Sequence, residues 1–309
     1  MDTFLIAIKT VLPLFLVIFT GTLFSRTKIN AESWIETLNK YALNIGFPAL
    51  VVASLMSLEI GEQSYTELIL YNSAIIIFSM LLAFPIARIL KLSNKLRRTL
   101  FMVLPFPNIA YLGIPVLQNS LGEQILPVAA IIAATYVFWM LTLGILLVEI
   151  TGEQKMQPQK LILSLVQNPL LLSVFIGLAI VLLKFKVPVV AEKTIHLFAD
   201  SVTAIVLFSL GIFLGMQKIG KINEWYRVIA LVGVTSLLLP FAFYEFLILM
   251  KFDTQLMKAS VIDSAMPLGL TPYALSVQYK LETTMVARIV VLGTLLSVFI
   301  IPVWLVFLG

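Results

Sequence analysis

Two interrupted apolar stretches limit what this chain can fold into more than any other feature. The first is Leu104-Pro105-Phe106-Pro107-Asn108-Ile109-Ala110-Tyr111-Leu112-Gly113-Ile114-Pro115. It lies in an apolar run beginning near Leu100, where a membrane helix is expected. Proline removes a backbone donor and clashes with the preceding turn, so three prolines and a glycine do not fit one straight helix. The second stretch is Ala265-Met266-Pro267-Leu268-Gly269-Leu270-Thr271-Pro272. Pro107 and Pro267 stand 160 residues apart in a chain of 309, about half its length. Backbone groups freed at membrane depth need protein or a water-lined cavity to bond. A single break can be a plain proline kink. Two breaks at matching places in two halves point instead to inverted repeats whose broken helices build a site near the membrane midplane.

Composition supports the membrane setting. Hydrophobic residues make up 60% and charged residues 12%, where a soluble domain carries about 25% charged residues. Mean hydropathy is +1.04. In such a chain the net charge of +5 marks orientation rather than nucleic-acid binding. With no cysteine there is no disulfide, thiolate ligand or cysteine nucleophile. Met1-Asp2-Thr3 precedes the first apolar run without a basic segment, so that run is expected to be a retained span and not a signal peptide.

At about 20 apolar residues per span, ten spans are expected. They are 3–24, 33–57, 67–90, 98–120 (broken), 124–149, 160–183, 188–215, 225–250, 256–278 (broken) and 284–308. The polar segment Thr151-Gly152-Glu153-Gln154-Lys155-Met156-Gln157-Pro158 falls between the fifth and sixth. Alternate loops then divide the basic residues unevenly. One set holds Arg26, Lys28, Arg88, Lys91, Lys95, Arg97, Arg98, Lys155, Lys160, Lys218, Lys221, Arg227, Lys280 and Arg288, and the other only Lys184, Lys186, Lys193, Lys251 and Lys258. The richer set faces the cytoplasm, which puts both termini on the extracytoplasmic side of a multi-pass cell-membrane protein. Five helices per repeat is an odd number, so the second repeat must be inverted. The expected fold is therefore an all-α polytopic membrane protein of two inverted five-helix repeats with crossed, broken helices 4 and 9. Residues 1–150 form the first repeat, 151–158 a cytoplasmic linker and 159–309 the second. Ala49–Leu55 also aligns weakly with Ala204–Leu210.

Each break offers the start of a half-helix. Asn108 follows Pro107 and is expected to cap the second half of helix 4 with its side-chain oxygen. Thr271 followed by Pro272 reads as an N-cap and first helical residue. Free amides and the helix dipole at such points favour an anion without a lysine or arginine.

The first break, with its Leu-Pro-x-x-Asn and Gly-Ile-Pro elements, resembles the auxin efflux carrier family, which includes plant PIN-FORMED carriers and bacterial malate and malonate permeases. Pro267-Leu268-Gly269-Leu270-Thr271-Pro272 with Tyr279 is similar to the family's helix 9 pattern, and Gly293–Pro302 to its last helix. The resemblance covers the whole chain. It implies a scaffold of helices 1, 2, 6 and 7 and a transport domain of helices 3–5 and 8–10, in a fold like that of bile-acid symporters and sodium–proton antiporters. It further implies substrate bound at the crossing of helices 4 and 9, a rocking or elevator movement, and a homodimer joined through the scaffold. The long central loop of many plant carriers is missing here. An asparagine common near the second break of bacterial relatives is also missing, with Thr271-Pro272 in its place.

The candidate substrate-binding set is Pro107, Asn108, Ile109 and Tyr111 at the first break, Gly269, Thr271, Pro272 and Tyr273 at the second, and Asn44 from helix 2. Ionisable residues within spans are costly and usually functional, which makes Asp263, one turn before Pro267, and Asp200 in helix 7 candidates for ion coupling. Lys40 and His196 are expected at the interface, and Trp34, Trp225 and Trp304 in an aromatic belt. No catalytic residue, metal site or cofactor is indicated. The leading reading is a secondary carrier or uniporter for a small organic carboxylate, with a proton or sodium as possible partner ion. The alternative is a sodium-coupled symporter of the bile-acid type. An intramembrane enzyme is disfavoured, since helix-borne His-Glu-x-x-His is absent.

Overall fold

The computed structural model describes residues 2–27, 30–56, 65–152, 159, 162–163, 166–217 and 225–309. Lys28, Lys155, Lys160, Lys218, Lys221 and the 151–158 linker beyond Gly152 lie outside these residues. The described chain is helical. Helix α1 is Asp2–Phe24. Helix α2, Ala31–Tyr41, passes through a π-turn at Ala42–Gly46 into α3, Phe47–Met56. Next come α4, Thr66–Ile89, and α5, Asn94–Val103. After the first break a π-turn, Ile109–Gly113, leads into α6, Ile114–Leu121. Helix α7, Leu126–Trp139, continues through the π-turn Met140–Gly144 into α8, Ile145–Ile150. Helix α9 is Pro169–Leu182 and α10 is Val189–Met216. Helix α11, Trp225–Gly233, passes a π-turn, Val234–Leu238, into α12, Leu239–Leu249. Helix α13, Thr254–Ser264, ends at the second break, after which come α14, Leu270–Gln278, and α15, Thr283–Leu308.

Six of these runs are long and apolar enough to cross a membrane: Ala7–Phe24, Thr66–Ile89, Glu123–Ile150, Val189–Met216, Trp225–Leu249 and Thr283–Leu308. The chain is thus a multi-pass membrane protein. The other four expected spans fall on α2–α3, the two broken helices and α9. Helix α9 differs most from expectation. It begins at Pro169, not near 160, because Asn168 caps it by accepting from the amides of Leu170 and Leu171 at 3.0 and 3.1 Å. Asn-Pro is a start signal of the kind read at the breaks, with proline in a position that has no bond to lose. The fourteen residues of α9 span about 21 Å at about 1.5 Å each, short of a hydrocarbon core of about 30 Å.

Helices α1, α2, α3, α9 and α10 pack on one another, while α4 packs on α5 and α7, and α15 on α11 and α14. The tightest approach is between α1 and α10. A Cβ on Gly211 would fall on the carbonyl of Ile18, and one on Gly21 on the carbonyl of Phe208. Thr22 Oγ1 donates to the Gly211 carbonyl at 3.0 Å. Without a hydrophobic drive in lipid, small residues and interhelical hydrogen bonds of this sort hold helices together. Trp304 departs from its expected place in an aromatic belt. It is buried, and its indole donates to the Ser236 carbonyl at 3.0 Å, within the π-turn of the α11–α12 run. A buried indole needs an acceptor, and a π-turn offers a carbonyl displaced from the usual ladder.

Candidate functional site

The two breaks meet. Pro107 and Leu268 form an isolated antiparallel bridge. The amide of Asn108 donates to the Pro267 carbonyl at 2.6 Å, and that of Gly269 to the Phe106 carbonyl at 3.4 Å. Each break thereby satisfies backbone groups that the other leaves open, as irregular backbone at membrane depth requires.

The start of the half-helix after the first break differs from expectation. Asn108 occupies the cap position with φ −81° and ψ 64°, but its side chain makes no cap bond. Its carbonyl instead accepts from the amides of Leu112 and Gly113 at 3.2 and 2.9 Å, and the Ile109 amide donates back to the Pro107 carbonyl at 2.9 Å. The wider π-turn draws two amides onto one carbonyl and leaves the side chain free. Asn108 Nδ2 is enclosed with no hydrogen-bond partner among the described residues. Leaving a buried donor unmet costs about 1–3 kcal/mol. At the second break the cap is Gly269 rather than Thr271, and Pro272 is the third helical residue. Its missing amide is still one of those with no intrahelical acceptor. Both half-helices begin at the crossing, so both present first-turn amides there.

A cavity of about 50 Å³ lies at the crossing, lined by Pro107, Asn108, Ile109, Tyr111, Gly269, Thr271 and Pro272 of the expected set. Tyr136, Val137 and Met140 form a wall that the sequence reading passed over, the tyrosine being its one polar signal in an apolar run. Tyr273 is not part of this cavity. It lines one of about 310 Å³ with Gln217, Trp225 and Arg288, and its ring meets Phe213 of α10 at 4.9 Å. Asn44 is not brought to the crossing either. It is exposed, and its amide donates to the Lys40 carbonyl at 2.8 Å. Lys40 in turn pairs with Glu36 at 2.6 Å, so residues 36, 40 and 44 share one exposed face. The helix 2 residue that reaches the break is Asn39, whose Oδ1 accepts from Tyr111 Oη at 3.3 Å and Ser209 Oγ at 2.8 Å. The Tyr111 ring also meets Phe47 of α3 at 5.5 Å.

The two candidate coupling residues are far apart in character. Asp263 is 0% exposed, and neither carboxyl oxygen has a hydrogen-bond partner among the described residues. A Cβ on Gly113 would fall on its Oδ1, so the carboxyl packs against the π-turn of the first break. One turn earlier on α13, Ser260 Oγ accepts from Asn72 Nδ2 at 2.9 Å. Asp200 is exposed and lines a cavity of about 550 Å³ with Glu123, His196 and Gln118, away from the crossing.

Comparison with known proteins completes the picture. The family model described as membrane transport protein matches residues 6–305. A Rhizobium meliloti (strain 1021) protein, provisionally named a malonate transporter, is 23% identical over 294 residues, 93% of this chain and 91% of that protein. Auxin efflux carrier component 3a of Oryza sativa subsp. japonica is 25% identical over 151 residues, 47% of this chain and 24% of its own length. Auxin efflux carrier component 8 of Arabidopsis thaliana is 25% identical over 146 residues, 43% of this chain and 38% of its own length. The matches to the plant carriers therefore span less than half the length of those proteins.

Proposed function

We propose a carrier of small organic anions on one premise: this chain belongs to the membrane transport protein family. Membership makes it a transporter and not an enzyme, and it bears out the resemblance to the auxin efflux carrier family. The substrate we propose is a small carboxylate. The observation that carries this reading is the pairing of the two breaks. Two half-helices begin where the breaks meet, beside an enclosed Asn108 amide with no partner among the described residues. Oriented donors with little competing water suit a carboxylate, and the name of the Rhizobium relative agrees with that choice.

The architecture belongs to the same reading. The proposal is ten spans in two inverted repeats, 1–150 and 159–309, with both termini extracytoplasmic. The turns before the two broken helices share one form, which also ends α9 at Lys184 and α14 at Lys280. Lys91 and Lys251 both take left-handed φ, at 49° and 54°. Leu92 N bonds Ala87 O at 2.9 Å, and Phe252 N bonds Leu247 O at 3.0 Å. The mutual packing of α1, α2, α3, α9 and α10 supports a scaffold grouping, which meets the other helices where α1 packs on α15 and α6 and where α3 and α9 pack on α7. Tyr111 on Phe47 and Tyr273 on Phe213 are two aromatic contacts across that division. Since about 50 Å³ admits little more than a water molecule or two, substrate entry requires these contacts to open, which is the work of a rocking or elevator movement. Single cysteines at Lys95 and Glu192 test the orientation in a chain without native cysteine. An impermeant thiol reagent applied to intact cells should leave the first unlabelled and label the second.

Asp263 is the proposed coupling residue. An anion at the half-helix starts and a carboxylate on the adjoining helix repel each other. A proton taken up with the substrate and released after it would remove that repulsion and tie flux to the pH gradient. The sodium-coupled alternative rests on the same two bare oxygens. Uptake of labelled malonate into proteoliposomes separates the readings. Uptake driven by a pH gradient and unchanged when choline replaces sodium supports the first. Dependence on sodium supports the second, and no uptake of any small carboxylate removes the anion reading.

A further inference from the structure

The basic stretch between α4 and α5 divides into two kinds of residue. Lys95 has an acidic partner, Glu282, at 3.4 Å, and Arg98 donates from Nε to the Val148 carbonyl at 3.0 Å. Arg88, Lys91 and Arg97 have no carboxylate within 4.0 Å among the described residues. These three, with Asn94, line an open cavity of about 650 Å³. Arg97 is held toward Asn94 by a 2.7 Å bond from Nη2 to Oδ1, while its Nε is enclosed without a partner among the described residues. Helix α5, ten residues long, starts in the same cavity. Ser93 Oγ caps it by accepting from Leu96 at 3.2 Å, and the first-turn amides of Asn94 and Lys95 precede any intrahelical acceptor. Three cations and a helix start thus share one cavity.

The remaining wall is apolar. Phe84, Pro85 and Leu92 line it, and Leu81, Phe84, Ile89 and Leu90 next to it expose large hydrophobic surfaces at 49, 38, 76 and 63%. A free phosphate has no use for such a border, whereas an acyl chain does. From this juxtaposition we propose that the groove where α4 meets α5 binds the phosphate headgroup of an anionic phospholipid, with Arg88, Lys91 and Arg97 on the phosphate and the chains along the exposed side of α4. Basic pockets at the end of membrane helices recognise anionic headgroups in this way. The site is separate from the crossing of the breaks and does not depend on what the carrier transports.

Purified full-length protein in neutral detergent tests it by thermal unfolding with three additives: short-chain phosphatidylglycerol, short-chain phosphatidylcholine and inorganic phosphate. Phosphatidylglycerol is expected to raise the unfolding temperature at concentrations where the other two do not. Lys91→Gln, at an exposed position, and Arg97→Gln should each weaken that response about fivefold, while Arg97→Lys retains it. Lys184→Gln with Lys186→Gln, basic but elsewhere, should leave it intact. If Arg97→Gln does not fold, Lys91→Gln decides. Equal responses to the two lipids overturn the proposal, as does a Lys91→Gln protein that responds like the parent. A phosphate response matching that of phosphatidylglycerol assigns the groove to a free anion and overturns the lipid site.

Discussion

Asp263 at the crossing and Asp200 in the large cavity are both aspartates that hydropathy alone places inside spans, yet their surroundings differ in every respect. Asp263 is sealed between α13 and the π-turn of the first break, with no hydrogen bond to either oxygen among the described residues. Asp200 is exposed beside His196 and Glu123 in a cavity of about 550 Å³. Water can hydrate Asp200 whatever the rest of the molecule does. Asp263 has only its immediate neighbours, and those include the π-turn of the first break. On the proposed reading its environment changes whenever the break fills, empties or moves. Position along a span does not distinguish the two residues. What faces them does.

The contrast can be broken most severely at Gly113. A methyl group there collides with Asp263 Oδ1, and overpacking of this kind costs about 1–3 kcal/mol. Gly113→Ala should lower the unfolding temperature and abolish uptake. The double variant Gly113→Ala with Asp263→Ala removes the obstacle and should recover most of the stability. A double variant no more stable than the single one would show that the two residues do not press on each other. Next in size is Asp263→Asn. It should leave substrate binding largely intact and flatten the pH dependence of uptake. A uniform loss of stability and rate at every pH would instead mark Asp263 as an anchor. The smallest effect is expected for Asp200→Asn. An exposed substitution changes stability by no more than about 0.5 kcal/mol, and uptake should keep its pH profile. Loss of that profile in Asp200→Asn would move the coupling site to the large cavity.

The breaks were legible because proline and glycine limit backbone conformation whatever packs around them. Pro107, Gly269 and Pro272 lie where the two breaks meet; their residue types marked the breaks, whereas a crossing was implied only by the family resemblance. Long apolar spans were legible for a similar reason, since α4 and α10 begin and end within a residue or two of expectation. Facing was not legible. Asn39 and Asn44 are five residues apart in one helix, and helical periodicity puts them on different sides without saying which side is inward. The Glu36–Lys40 pair was a usable sign, because an exposed ion pair one turn before Asn44 marks the outward face. Asn108 was placed correctly, but its bonding was not. A cap residue normally bonds through its side chain. The π-turn that follows instead feeds the Leu112 and Gly113 amides to its carbonyl, and nothing in Ile109–Gly113 announces a π-turn over an α-turn.

The central claim is that the crossed breaks hold the carboxylate of the substrate, with the free amide of Asn108 as one donor. Equilibrium binding of labelled malonate to purified protein, parent against Asn108→Ala, tests it most directly. A hydrogen bond to a charged group contributes about 1.5–3 kcal/mol, so the variant should bind about tenfold more weakly or worse while its unfolding temperature stays close to that of the parent. Unchanged affinity in a well-folded Asn108→Ala protein would contradict the claim.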